Sequence, residues 1–249
     1  MGIRVAAAGD VHADASRRAD LEAAFTSLRG NADLVLLAGD LTTHGRPEEA
    51  QVVARASQLA ELPVFSVLGN HDWHSGRAAE VAAVMEEAGV NVLERAWATL
   101  DVNGESVGIV GTKGFVGGFP GSHMPDFGEP LLREVYAETG REVTALEDGL
   151  AAVAGCDYRL VLLHYSPTLM TLEGERPEIA AFLGCDRLAH PIADHCPDLV
   201  LHGHAHAGRF DGTIGSVPVF NVALPMKREF WVFELSADRP RAPEYALVG

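Results

Sequence analysis

Residues 33–45 read DLVLLAGDLTTHG, an unbroken apolar run that drives into a Gly-Asp pair and a polar, glycine-containing turn. A run without polar alternation fits a strand buried on both faces, as in the parallel sheet of an α/β protein. Its carboxyl end delivers Asp40 to a sheet edge, which is where ligands bind in open α/β sheets. A carboxylate at that edge is placed for chemistry, whereas one at mid-strand would be a burial problem.

The arrangement recurs along the chain. IRVAAAGD ends in Asp10 with His12 two residues on, and PVFSVLGN ends in Asn70 with His71 and Asp72 following. YRLVLLH ends in His164, and PDLVLHGHAH ends in His204 and His206. If these strands lie parallel in packed sheets, their carboxyl ends converge and gather aspartates, an asparagine and histidines in one place.

The order of elements supports such sheets. Helical spacing over residues 15–28, 47–59 and 76–88 alternates with strands up to residues 63–68, a β-α-β-α-β-α order that predicts a parallel sheet with right-handed crossovers. Short strands follow at 91–93, 97–102 and 106–110, the last two joined by Asn103-Gly104, a hairpin signal. Residues 112–128, rich in glycine, read as a long loop, and a helical pattern then runs from Leu131 to Val153 with Gly140 as a candidate break. Residues 159–163 return to buried strand. Short helices are expected at 177–183 and 188–195, and strands at 198–201, 217–222 and 230–235. The tail after Ser236 is Pro-rich and carries no clear pattern.

The 249 residues suffice for one large α/β domain, residues 1–249, with 112–155 as a candidate lid or substrate-loop insertion. A 47% hydrophobic fraction supplies a core. No apolar run approaches the roughly 18 residues that span a bilayer. The amino terminus reads as a first strand and not as a signal peptide, so a cytoplasmic location is expected. The cysteines, Cys156, Cys185 and Cys196, form no CxxC and read as small residues in a reducing compartment. A formal charge of −16 speaks against an extended nucleic-acid groove, but leaves room for a small anion at a locally positive site.

Taken in order, Asp10-x-His12, Gly39-Asp40, Gly69-Asn70-His71-Asp72, His164 and Gly203-His204-x-His206 resemble the calcineurin-like metallophosphoesterase superfamily. The resemblance implies a four-layer α/β sandwich, two mixed sheets flanked by helices, with a metal site at the carboxyl ends of the strands. It makes Asp10, His12 and His206 ligands of one ion, Asn70, His164 and His204 ligands of a second, and Asp40 the bridge. It places His71 against the substrate, as general acid toward the leaving group or as a stabilising cation. The implied activity is hydrolysis of a phosphodiester or phosphomonoester by in-line attack of a metal-bridging hydroxide. Two divalent ions against two aspartates and one hydroxide leave about one positive charge for a phosphate. Imidazole and carboxylate ligands suit Mn, Fe or Zn, without ranking them.

Departures from the pattern narrow the branch. Phosphoprotein phosphatases of the superfamily carry GDxxDRG and an Arg before GNHE; here those positions are Thr43, His44 and Leu68, and the final Glu is Asp72. The missing arginines remove bidentate phosphate clamps, so the chain looks more like the bacterial phosphodiesterase and small-phosphoester members. Asn70, His44 and Lys113 are candidate substrate contacts, His74 a candidate pocket residue, and Phe115, Phe119 or Trp73 candidate stacking partners for a planar group. His123, His190, His195 and His202 have no spacing that requires ligation. The alternatives are a non-catalytic metal-binding interaction scaffold on the same fold, or a nuclease.

Overall fold

The computed structural model describes residues 2–224, 229–236 and 244–248. Among them, the apolar runs form two six-stranded mixed sheets. The first contains β1 (Gly2–Ala8), β2 (Leu34–Ala38), β3 (Val64–Val67) and β4 (Val90–Val92), all parallel. The second contains β5 (Ala96–Val102), β6 (Glu105–Gly111), β7 (Tyr158–Leu162), β8 (Leu199–His202), β9 (Asp211–Ile214) and β10 (Val217–Asn221). Its central neighbours β6, β7, β8 and β10 run parallel, with β5 and β9 antiparallel at the edges. The antiparallel strands β11 (Phe230–Ser236) and β12 (Glu244–Val248) complete the first sheet beyond β1.

Strand period decides the layers. In β1 and β2, Ile3, Val5, Ala7, Leu34 and Leu36 face the second sheet, meeting Ile109, Leu160, Leu162, Leu199 and Leu201 in a core between the sheets. Their neighbours Ala6, Ala8, Val35 and Leu37 point outward, beneath α1 (Arg18–Ser27), α2 (Pro47–Gln58) and α4 (Ala78–Glu87), which follows the single turn α3 (Asn70–Trp73). On the far side, Val110, Val161 and Val200 are covered by α5 (Pro130–Ala152) and, after the turn α6 (Ala180–Leu183), by α7 (Ala189–His195). Because both faces of the central strands are covered, those strands carry no polar alternation.

The structure corrects several expectations. Gly140 does not break α5, which runs unbroken for 23 residues; the helix is buried on one face from Thr139 through Glu142, Leu146 and Leu150, on both sides of the glycine, and a single glycine costs only about 1 kcal/mol there. Strands β9 and β12 carry no clear signal in the sequence, β9 being a four-residue edge strand that holds Gly212 and Thr213. Of the tail after Ser236, residues 237–243 lie outside the described residues. Phe119 is no stacking partner, since it is 1% exposed and packs with Leu172, Ala180, Leu183 and Ala205.

Candidate metal centre

Five strands end on one side of the sandwich, and the residues that follow them meet there. Asp10 comes two residues after β1, Asp40 two after β2, Asn70 opens α3 after β3, and His164 and His204 follow β7 and β8. The two sheets are stitched at this edge: the His164 ring donates from Nδ1 to the Ala38 carbonyl (2.9 Å), and the His204 N–H donates to Asp10 Oδ2 (2.8 Å). Residues far apart in the chain are thus brought together, and His164 Nε2 also stands 2.9 Å from Asn70 Oδ1, 94 positions away.

The close approach has a steric requirement that the motifs encode as glycine. A Cβ on Gly39 would stand 2.6 Å from His164 Nδ1, one on Gly203 would stand 2.3 Å from Asp10 Oδ2, and one on Gly69 would stand 2.1 Å from Asp40 Oδ1. The residues beside them carry backbone strain. Asp10, His12, Asp40 and His204 have φ of +55°, +44°, +50° and +70°. Left-handed conformations of this kind cost non-glycine residues about 1–3 kcal/mol each and gather at functional sites.

Asp72, which follows His71, holds the frame. It is fully buried, and its two oxygens accept from the Leu41 N–H (3.1 Å), the Thr42 N–H (2.8 Å), the Thr42 hydroxyl (2.6 Å) and the Gly69 N–H (2.8 Å). Burial and the nearby Asp40 push its pKa up, while these donors pull it down. The carboxylate ties the loop after β2 to the turn after β3.

Among the described residues, three groups each hold their ligand atoms within 4.8 Å of one another: Asp10, His12 and His206; His12, Asp40 and His71; and Asp40, His164 and His204. Asp40 stands in two of them. Burial pushes the His12 ring down to about 4 and, with the neighbouring His164, the His204 ring down to about 3, so both are neutral with a lone pair free to coordinate. Burial opposes ionisation of Asp10, but the hydrogen bond from His206 and the charges of His164 and His206 hold its pKa low. Asp40 is pushed up by burial, with Asp10 adding to the rise. Two buried, mutually repelling carboxylates, with His12 and His204 neutral beside them, call for cations.

Outer hydrogen bonds orient these rings as they do in metal sites. The Nδ1–H of His164 on Ala38 leaves Nε2 toward Asn70 and Asp40, and His204 meets the Phe182 carbonyl through Nε2 (3.2 Å), leaving Nδ1 for the cluster. The donor set fits Mn, Fe or Zn by its chemistry. His71 is tied differently: its N–H donates to Asp40 Oδ1 (2.8 Å), and its ring Nδ1 donates to the Thr43 carbonyl (2.7 Å). The backbone of Thr43 thus takes the orienting place that a carboxylate would fill. His71 Nε2 then faces the cluster, 3.9 Å from Asp40 Oδ2.

The remaining candidates are placed outside this cluster. His44 is exposed and paired with Glu49 (3.0 Å); His74 is exposed. Lys113 is buried beside the cluster in a groove that reaches Asn70. His123 pairs with Asp186, His195 with Glu147, and His202 is buried between the Gly203 carbonyl and the Thr171 hydroxyl. Among residues given no role in the sequence, Asp72, Thr43 and Tyr165 matter most; the Tyr165 ring stands 4.6 Å from that of His204 and 5.4 Å from that of His164. Only the spacing of Asp72 after Asn70 gave a signal.

A family model described as calcineurin-like phosphoesterase matches residues 3–208. Solved structures share the fold. They include TT1561 of Thermus thermophilus (TM-score 0.64, 19% identity, 99% of both chains) and the phosphopantetheinyl hydrolase PptH from Mycobacterium tuberculosis (TM-score 0.62, 16% identity, 90% of both chains). Another is GAP50, the anchor in the inner membrane complex of Plasmodium (TM-score 0.62, 12% identity, 100% of this chain and 89% of that one). No curated protein matches the chain significantly.

Proposed function

The chain belongs to the calcineurin-like phosphoesterase family, and from that premise we propose that it is a dinuclear metal-dependent hydrolase of small phosphoesters. In this reading Asp10, His12 and His206 hold one ion, Asn70, His164 and His204 hold the other, and Asp40 bridges them. The observation that carries it is the shared position of Asp40, whose carboxylate belongs to two ligand groups at once. Bound Mn, Fe or Zn would acidify a water and neutralise phosphoryl oxygens.

The chain's own groups supply the rest. Asn70 and His71 border the cluster from α3, at the open side of the sheet edge. Protonated on both nitrogens, the His71 ring keeps Nδ1–H on the Thr43 carbonyl and offers Nε2–H to the departing oxygen, which would otherwise leave as an alkoxide. Asp72 keeps the α3 turn against the Asp40 loop, so both sides of the substrate are held by one rigid unit.

The fold alone does not decide catalysis, since GAP50 is an anchor on a similar fold. An interaction scaffold would make the same contacts without turnover. The test treats the chain with chelator, reloads it with Mn, Fe or Zn, and assays mono-, di- and cyclic phosphoesters. Two ions per chain and metal-dependent turnover are expected. Two tightly held ions with no turnover on any ester would establish the scaffold reading instead, and one ion or none would overturn the dinuclear site.

A further inference from the structure

Beside the cluster a groove leads away from Asn70. Its first part, a cavity of about 270 Å³, is walled by Trp73, Phe115 and Tyr165 with Lys113 at its floor. It continues past Trp73 and Lys113 into a second cavity of about 320 Å³ bounded by Leu68, Ala78, Ala82 and Glu94. Together the two reach the size range of roughly 300–1,000 Å³ in which small-molecule ligands are held. Arg95, paired with Glu142 (2.7 Å) and Glu138, lines this second cavity too.

The walls are aromatic and unequally committed. Tyr165 is packed between the rings of His204 and Phe115, at 4.6 and 5.8 Å, and so continues the metal cluster into the groove. Trp73 is 50% exposed, a large cost in unburied apolar area for a residue on the same short turn as Asn70 and His71. Lys113, 7% exposed, donates to the Gly114 carbonyl (3.0 Å) and lies over Phe115 at 4.2 Å. An ammonium carries three donors; the carboxylates of Glu142, Glu94 and Glu138 act on this one from the same groove, and its one hydrogen bond among the described residues is to the Gly114 carbonyl. A half-exposed indole and a phenyl ring that line one cavity with a buried ammonium suit a flat ring that has acceptor atoms on its edge.

Building on the phosphoesterase reading, we infer that this groove binds the organic group of the phosphoester, and that the group is a planar aromatic ring bearing hydrogen-bond acceptors, stacked on Trp73 and held at its edge by Lys113. The aliphatic esters of glycerol lack such a face and would leave the groove unfilled.

The test compares ester pairs of similar alkoxide reactivity. Adenosine 5′-phosphate is set against glycerol 3-phosphate, and the methyl diester of each against the other, with the manganese-loaded chain and its Trp73→Ala and Lys113→Met variants. A calorimetric titration with free adenosine reads the groove without turnover. We expect the nucleoside esters to be preferred in kcat/KM, with Trp73→Ala cutting that preference roughly 5- to 150-fold through KM, the range that stacking on an aromatic side chain gives. Glycerol esters should lose less than the nucleoside esters in each variant, and Lys113→Met should reduce the preference while retaining stacking. An equal kcat/KM for both classes, or a preference unchanged in both variants, overturns the groove assignment while leaving the phosphoesterase reading intact. Absence of turnover on all four esters overturns that reading instead; the groove then stands if adenosine binds to the wild-type chain and not to Trp73→Ala, and falls if it does not bind.

Discussion

Gly69→Ala separates steric need from backbone conformation. Gly69 has φ of −107°, a value open to any residue, so alanine introduces no left-handed strain there. The added Cβ would stand 2.1 Å from Asp40 Oδ1 and 2.3 Å from the Asp40 backbone nitrogen. Against an ordinary contact of about 3.4 Å, the Asp40 loop and the α3 turn must part by roughly 1 Å, because turning the Asp40 carboxylate aside would still leave its backbone nitrogen in the way. Overpacking of this kind costs about 1–3 kcal/mol, and backbone involvement puts Gly69→Ala near 3 kcal/mol. A displacement of about 1 Å at a catalytic group costs on the order of 10²-fold in rate. Gly76→Ala is the control: nothing lies within 4 Å of its Cβ, but φ is +73°, so only conformational strain of about 1–2 kcal/mol applies. Urea denaturation, Mn²⁺ titration and phosphoester turnover are measured on both. Gly69→Ala should lose stability, metal affinity and about 10² in kcat/KM, and Gly76→Ala only stability. Wild-type metal affinity and turnover in Gly69→Ala would refute the claim that glycine is there to let Asp40 approach.

Burial, with the Glu142 and Asp72 carboxylates adding to it, raises Glu94 from 4.5 to about 7, against the Leu68 N–H and Lys113, which lower it. The folded state then binds more protons than the unfolded one between these values, so this contribution is present below pH 4.5 and lost as pH rises through 7. At 1.36 kcal/mol per pH unit the full loss is roughly 3 kcal/mol, or about 2 after partial solvent access; Glu94→Gln should flatten the curve by that amount, and parallel urea curves for both proteins from about pH 4.5 to 8.5 would contradict it. Asp72→Asn turns an amide against N–H donors and should cost about 2–4 kcal/mol, read as a lower urea midpoint. His71→Ala should keep the metal content measured by atomic absorption and lose about 10²–10⁴ in kcat; unchanged turnover would remove His71 from the reaction.

The runs that end at Asp10, Asp40, Asn70, His164 and His204 were legible because β-strands buried on both faces leave apolar stretches with no alternation, and a polar residue at the end can lie only at an edge. The parallel part of the first sheet and its helices followed from the β-α order, and the two-sheet sandwich from the family resemblance. Gly140 misled, because helix packing outweighs a single residue's propensity. Phe119 misled as well: a phenyl ring in a glycine-rich loop reads alike whether it faces a ligand or a core. The edge strand β9 was missed because its four residues include Gly212.

Side-chain chemistry and order along the chain were thus settled by the one-dimensional string: which residue types can hold cations, and which strand ends they occupy. Where those residues stand relative to one another was decided only in three dimensions. Asp40 stands with His12 and His71 on one side and with His164 and His204 on the other because Gly69 leaves it room and the His71 N–H grips it, contacts between positions about 30 apart in the chain. The ring of His71 is aimed by a backbone carbonyl, a group every residue carries and no sequence pattern marks. The groove beside Asn70 exists because Trp73, Phe115 and Tyr165, from three separate segments, are brought around one buried lysine by sheets that pack through apolar faces elsewhere. Burial, strain and close approach are properties of pairs, and pairs form only when the chain has folded.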